Sequence, residues 1–157
     1  MVPAPLAVRN LLSDLLGREV AVTPADPVVT ADLSTTVLAV YVDDGLHLSG
    51  VIGLDLPLAA FAGAALGLMP AGGAEDCVKD KSLSPMLVDN VKELCNVLTG
   101  LLSRGGQTRH KLHKVYVPGE DLPPDAAAQL LAIGQRLDLT VDIPRYGDGR
   151  FSLSLAA

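Results

Sequence analysis

Residues 139–155 read LTVDIPRYGDGRFSLSL, with short strand-like runs at Leu139 to Ile143 and Phe151 to Leu155 set around Tyr146-Gly-Asp-Gly149. The Asp148-Gly149 pair between such runs predicts a tight turn. A tight turn joins antiparallel neighbours, because parallel strands need a long crossover. Working outward, TVLAVYVDDGLHLSGVIGL at 36–54 has the same organisation: Thr36 to Val42 and Leu46 to Leu54 are β-like, joined through Asp43-Asp44-Gly45. The expectation is an α+β fold, an antiparallel β-sheet with long helices packed on one face.

Helical signals fill the rest. Leu6, Val8, Leu11, Leu12, Leu15 and Leu16 recur at helical spacing, Gly17 is a stop, and Glu19 to Thr23 reads as a short strand. Val28 to Ser34 connects or pairs at an edge. Pro57 suits the first turn of a helix carrying Leu58, Phe61, Ala62, Ala65, Leu66 and Met69, which Pro70 ends. Residues 71–82 are Gly-rich and then charged, which predicts an exposed, flexible loop. The clearest helix spans Pro85 to Ser103, with Ser84 as N-cap and Gly105-Gly106 beyond its end. A strand at Leu112 to Val117 and a helix from Pro124 to Leu137 follow. Residues 1–157 read as a single domain with its core at about 5–156.

Composition narrows the function. The chain has 157 residues, 49% apolar and 3% aromatic, with a net charge of −6. A chain of this length buries roughly two thirds of its unfolded surface, so a core forms without disulfides or metals. The acidic balance argues against nucleic acid, whose backbone is recognised by clustered cations. Cys77 and Cys95 have no framework spacing, which fits a reducing compartment. Arg9, Asn10 and Asp14 interrupt the N-terminal apolar run, and Leu56 to Met69 is too short to span a bilayer, so the chain reads as cytoplasmic with no membrane insertion. His47, His110 and His113 have no ligand spacing, hence no metal site is assigned. No Gly-rich phosphate loop follows a strand, and no cofactor is expected.

The long helix carries the chemistry. Leu87, Val91, Leu94, Leu98, Leu101 and Leu102 form an apolar stripe, while Asp89, Glu93, Asn96 and Gly100 share the opposite face. An amide such as Asn96 both donates and accepts hydrogen bonds, so it can orient a water toward phosphorus, with Glu93 engaging a cation beside it. Gly100 leaves room for another surface to approach. The same pattern, Lys92 included, also describes an ordinary solvated helix face. Charge distribution bears on the choice. Residues 1–78 hold two cationic and nine acidic groups for −7, residues 79–114 seven and three for +4, and residues 115–157 three and six for −3. The cationic middle (Lys79, Lys81, Lys92, Arg104, Arg109, Lys111 and Lys114) surrounds the Glu93 helix in sequence; it either steers an acidic or phosphorylated partner or is scattered over the folded surface.

Asp89-Asn-Val-Lys-Glu93-Leu-Cys-Asn96-Val-Leu-Thr-Gly100 resembles the signature helix of the CheC/CheX/FliY class of chemotaxis phosphatases: an acidic or Ser residue, Glu four later, then Asn and a more distant Pro. Pro118 falls twenty-two residues after Asn96, one fewer than that pattern sets. Element order extends the likeness to a CheX-like domain over about residues 5–156. Asn10 is preceded at the matching distance by Ala7, so one motif per chain survives, as in CheX-like proteins.

The resemblance implies a phosphatase acting on a phosphorylated CheY-like response regulator. Asn96 would position the attacking water and Glu93 would engage the regulator's lysine. Asp89, Lys92 and Gly100 would contact that partner. The phosphoaspartate and Mg2+ would belong to the regulator, and the chain would form a homodimer. The alternative is a noncatalytic adaptor or flagellar-switch-like protein-binding module on the same fold.

Overall fold

Two hairpins build the centre of the structure, a computed structural model that describes residues 2–103 and 109–156. Strands β2 (Thr36–Val42) and β3 (Leu48–Asp55) pair from Thr36↔Asp55 to Val42↔Leu48, and β5 (Arg136–Ile143) and β6 (Gly147–Leu155) pair from Arg136↔Ser154 to Ile143↔Gly147. With β1 (Ala21–Pro24) and β4 (Lys111–Tyr116) they complete, among the described residues, a six-stranded antiparallel sheet in the order β1-β5-β6-β3-β2-β4.

The second hairpin turns earlier than expected. Asp148 and Gly149 lie within β6, and the reversal occurs at Pro144-Arg145, where Tyr146 N–H donates to the Ile143 carbonyl at 3.0 Å. Pro144 presets the first turn position and Arg145, at φ 73°, occupies the left-handed second. Gly149 serves close packing instead: a Cβ there would stand 2.4 Å from the Leu58 nitrogen and 2.6 Å from Asp55 Oδ1. In the first hairpin, Asp43 Oδ1 accepts from the N–H groups of Gly45 and His47, each at 2.9 Å. These bonds hold the Asp43 carboxyl below its ordinary pKa, the His47 contribution being the largest.

Alternating side chains divide the core. Val37, Ala39, Tyr41, Ile52, Leu54, Phe151 and Leu153 face the larger cluster. It is covered by α1 (Pro5–Leu16), α2 (Leu56–Leu66), α4 (Pro85–Val97) and the short α5 (Thr99–Leu102). Leu38, Val40 and Val51 face the other side, under Ala126 and Leu130 of α6 (Pro124–Leu131). The long helices thus lie on one face, as expected, and a two-turn helix covers part of the other. Residues Thr30–Thr35, expected to connect or pair, form a 3-10 turn whose Leu33 packs on that second cluster.

Three helical expectations change. Residues 71–82, read as a loop, contain α3 (Ala71–Asp80), because Ala74, Cys77 and Val78 pack on Ala60 and Ala64 of α2 and on Leu87. Tertiary burial outweighs the poor helix propensity of Gly72 and Gly73. The last helix stops at Leu131 rather than Leu137, since Gly134 takes φ 131° and Arg136 turns back to donate to the carbonyls of Leu130 (3.0 Å) and Ala132 (2.6 Å). Its guanidinium also holds Asp138 through two bonds of 2.8 and 2.9 Å, so residues 136–138 join β5. The helix expected over 85–103 divides into α4 and α5 at Leu98, ahead of Thr99 and Gly100, both weak helix formers. Arg104 and Gly105-Gly106 lie outside the described residues.

Asp55 caps α2, its Oδ1 accepting from Leu58 N–H at 2.9 Å, and burial is the largest influence on its carboxyl, raising the pKa. Because the folded state favours the protonated form, Asp55 ionisation costs stability as pH rises through that raised value. Asp55→Asn keeps an accepting oxygen and removes the charge. Urea titrations are expected to show this variant more stable than the native protein at neutral pH, with the gap closing as pH falls through the carboxylate range.

Candidate functional site

Ser84 starts α4 by accepting from Leu87 N–H at 3.4 Å, and Pro85 occupies the first helical position. From there the 3.6-residue period sends Leu87, Val91, Leu94 and Cys95 into the core. Asp89, Lys92, Glu93 and Asn96 are all exposed on the helix, and Gly100 is exposed on α5. The structure therefore leaves open to solvent all five residues singled out in the sequence. Glu93 and Asn96 stand three residues apart, and Lys92 and Asn96 four apart, so Asn96 has both as neighbours on the exposed surface. Gly100 sits beyond the division at Leu98, where a Cβ would meet only Leu11 Cδ1 of α1, at 4.0 Å. Met86, 62% exposed, begins the same surface one turn before Asp89.

Two polar contacts hold this helix from behind. The Tyr41 hydroxyl, buried in β2, donates to the Cys95 carbonyl at 2.5 Å, one residue before Asn96. Asn90 reaches the other way, its Nδ2 donating to the Gly63 carbonyl of α2 at 3.0 Å and to Met69 Sδ at 3.7 Å. Gly63 lets α2 approach, since a Cβ there would lie 3.1 Å from Val91 Cγ2. A surface residue on a helix so anchored keeps its direction, as positional chemistry requires.

The neighbouring groups limit the chemistry. Burial pushes the Cys95 thiol up to about 12, so it packs as a small apolar side chain and supplies no thiolate at neutral pH. Burial likewise raises the Tyr41 phenol well above its ordinary value, keeping it a donor. Cys77 is half-buried in α3. His47 is 3.4 Å from Asp43, and His110 Nδ1 is 2.8 Å from Ser49 Oγ. Among the described residues no group of three or more His, Cys, Asp or Glu side chains can hold a metal ion, and no helix is long and apolar enough to cross a membrane.

The cationic residues divide among elements. Lys79 and Lys81 are exposed at the end of α3, Lys92 on α4, and Lys111 and Lys114 on β4; Arg109 is exposed just before β4. Lys92 and Lys114 share a cleft of about 310 Å3 with Leu112, His113, Val115 and Glu120. Sequence spacing could not pair them, because α4 and β4 meet only through the fold. Pro118 forms a turn in which Glu120 N–H donates to Val117 O at 3.1 Å and Gly119 takes φ 100°. Asn90 was also missed: polarity suggests a solvated residue, and its partner lies 27 positions earlier.

No family model and no curated protein matches the sequence. Solved structures do share the fold. The CheX-CheY-BeF3-Mg2+ complex from Borrelia burgdorferi matches at 13% identity, covering 96% of this chain and 94% of that one, with a TM-score of 0.58. Thermotoga maritima FliY matches at 14% identity over 95% of this chain and 82% of its own, with a TM-score of 0.56. The FliM middle domain from H. pylori matches at 11% identity over 96% and 83%, with a TM-score of 0.59. The likeness is one of fold: the chain has the architecture common to CheX, FliY and FliM, as the signature-helix resemblance implies.

Asn90→Ala removes the bonds to Gly63 and Met69 and leaves a part-buried carbonyl without its side-chain donor. Chemical denaturation is expected to show a loss of roughly 1–2 kcal/mol.

Proposed function

We propose that this chain, built on the fold of CheX and FliY, accelerates dephosphorylation of a phosphorylated CheY-like response regulator. The observation that carries the reading is the joint exposure of Glu93 and Asn96 on an α4 whose opposite face is buried. The fold shared with CheX in a CheX-CheY complex supports it. In the proposed encounter the Asn96 amide accepts a hydrogen bond from the attacking water and aligns its oxygen with phosphorus. Glu93 engages the regulator's lysine and so sets the distance between the two proteins. Attack by water breaks the bond between phosphorus and the aspartate oxygen, giving inorganic phosphate and a free carboxylate on the regulator. Mg2+ bound by the regulator would supply charge neutralisation, which is consistent with a helix face that offers positioning groups.

A second reading is a noncatalytic adaptor or flagellar-switch-like binding module. The FliM middle domains favour it, since they share the same fold over nearly the whole chain. Loss of phosphate from a CheY-type regulator of the same genome, charged with acetyl phosphate, separates the two. The phosphatase reading expects faster decay with the native protein. Glu93→Ala and Asn96→Ala should each lower that acceleration by about a hundredfold, the scale of a lost positioning group. Each should change stability by less than about 0.5 kcal/mol, because both side chains are exposed. Binding with unchanged decay would establish the adaptor.

A further inference from the structure

At Tyr41 both neighbours of β2 lose step. β4 shifts register between Val40↔Lys114 and Tyr41↔Leu112, leaving His113 as an extra residue, and β3 shifts between Tyr41↔Gly50 and Val42↔Leu48, leaving Ser49. Bulges of this kind increase local twist, re-aim side chains and are over-represented beside active sites. A bulge on the outer strand β4 also discourages strand addition. That role does not reach β3, which is paired on both sides, with β2 and β6. Its extra residue is pinned: His110 Nδ1 lies 2.8 Å from Ser49 Oγ, and Ala156 N–H donates to the Ser49 carbonyl at 3.0 Å.

The irregular part of the sheet delivers the phenol to one backbone atom. The Tyr41 hydroxyl donates to the Cys95 carbonyl at 2.5 Å, and that carbonyl belongs to the planar peptide unit that ends at Cα of Asn96. Holding the oxygen therefore holds the plane from which the Asn96 side chain departs. Asn96 lies in the last turn of α4, where helices fray, while Glu93 lies further inside the hydrogen-bond ladder. Opposite Tyr41, Gly50 makes room for α5, since a Cβ there would stand 3.1 Å from Leu102 Cδ2. The chain beyond Asn96 is thus seated on the sheet beside the phenol.

Building on the phosphatase reading, we propose that Tyr41 is a positioning residue for the reaction: its hydroxyl fixes the placement of Asn96, and so the alignment of the attacking water with phosphorus, without touching the regulator. In-line alignment is lost on small displacements, whereas attraction between Glu93 and a lysine falls only as the inverse of distance. Loss of the hydroxyl therefore lowers turnover more than affinity.

Tyr41→Phe removes the hydroxyl and keeps the ring. Tyr146→Phe is the matched control, because the Tyr146 hydroxyl also donates to a carbonyl at 2.5 Å, that of Met69 ahead of α3. Decay of a CheY-type regulator of the same genome, charged with acetyl phosphate and mixed with saturating protein, gives the rate in the complex. Titration with the same regulator locked by beryllium fluoride and Mg2+ gives the affinity. The rate is expected to fall about tenfold in Tyr41→Phe while affinity changes by less than about twofold, with both near native in Tyr146→Phe. In 15N NMR spectra the Asn96 backbone amide, which shares its peptide plane with the Cys95 carbonyl, is expected to move in Tyr41→Phe and to keep its place in Tyr146→Phe. Replacing Tyr41 with 4-aminophenylalanine, whose N–H is a weaker donor at the same ring position, is expected to give an intermediate rate. That variant carries the comparison alone if circular dichroism shows Tyr41→Phe unfolded. A native rate in Tyr41→Phe, with or without weaker binding, overturns the role of Tyr41 and leaves the phosphatase reading intact. Equal losses in Tyr41→Phe and Tyr146→Phe overturn it too, because the bond then acts through stability alone. No acceleration by the native protein overturns both.

Discussion

The Tyr41 hydroxyl and the Cys95 carbonyl meet at 2.5 Å in the interior, and the candidate site depends on that meeting. Tyr41 is fully buried in β2, and a phenol placed there without a partner would cost about 1–3 kcal/mol. Cys95 lies in the last turn of α4, where carbonyls run out of helical N–H partners. Each group answers the other's need. The bond also fixes how far α4 sits above the sheet at the residue preceding Asn96.

The surrounding packing follows from that fixed height. Ala59, Ala60, Ala62, Gly63, Ala64 and Ala65 give α2 little side-chain bulk, so α4 can lie close beside it while still covering β2. Asn90 then spans the narrowed gap to Gly63, and α3 closes over the outer end of the pair. With two polar anchors and a buried stripe beneath it, α4 offers little freedom to roll. Glu93 and Asn96 are exposed on a helix that has one orientation.

Much of this architecture was legible because it arises from local periodicity. The apolar stripe of α4, its Ser84-Pro85 start and the exposure of Glu93 and Asn96 all follow from spacing within one helix. The misreadings share one cause. Gly72 and Gly73 argued for a loop, yet Ala74 and Val78 find buried partners in α2. Asp148-Gly149 argued for a turn, yet Gly149 is small because the start of α2 crosses it. Arg136 looked helical, yet it bonds the carbonyls that end α6 and pairs with Asp138 inside β5. In each case a local propensity was overruled by a contact distant in sequence.

What the sequence determined by itself was an acidic chain with an antiparallel sheet and one amphipathic helix that turns a carboxylate and a carboxamide outward. Those properties come from composition and from repeats of two and 3.6 residues, which need no knowledge of neighbours. Only the tertiary structure decided that Tyr41 holds that helix, that Asn90 ties it to α2, and that Lys92 and Lys114 line one cleft. The physical reason is that hydrogen-bond partners and cleft walls are chosen by how a sheet and its helices stack. That stacking brings Tyr41 to Cys95 across 54 positions of chain.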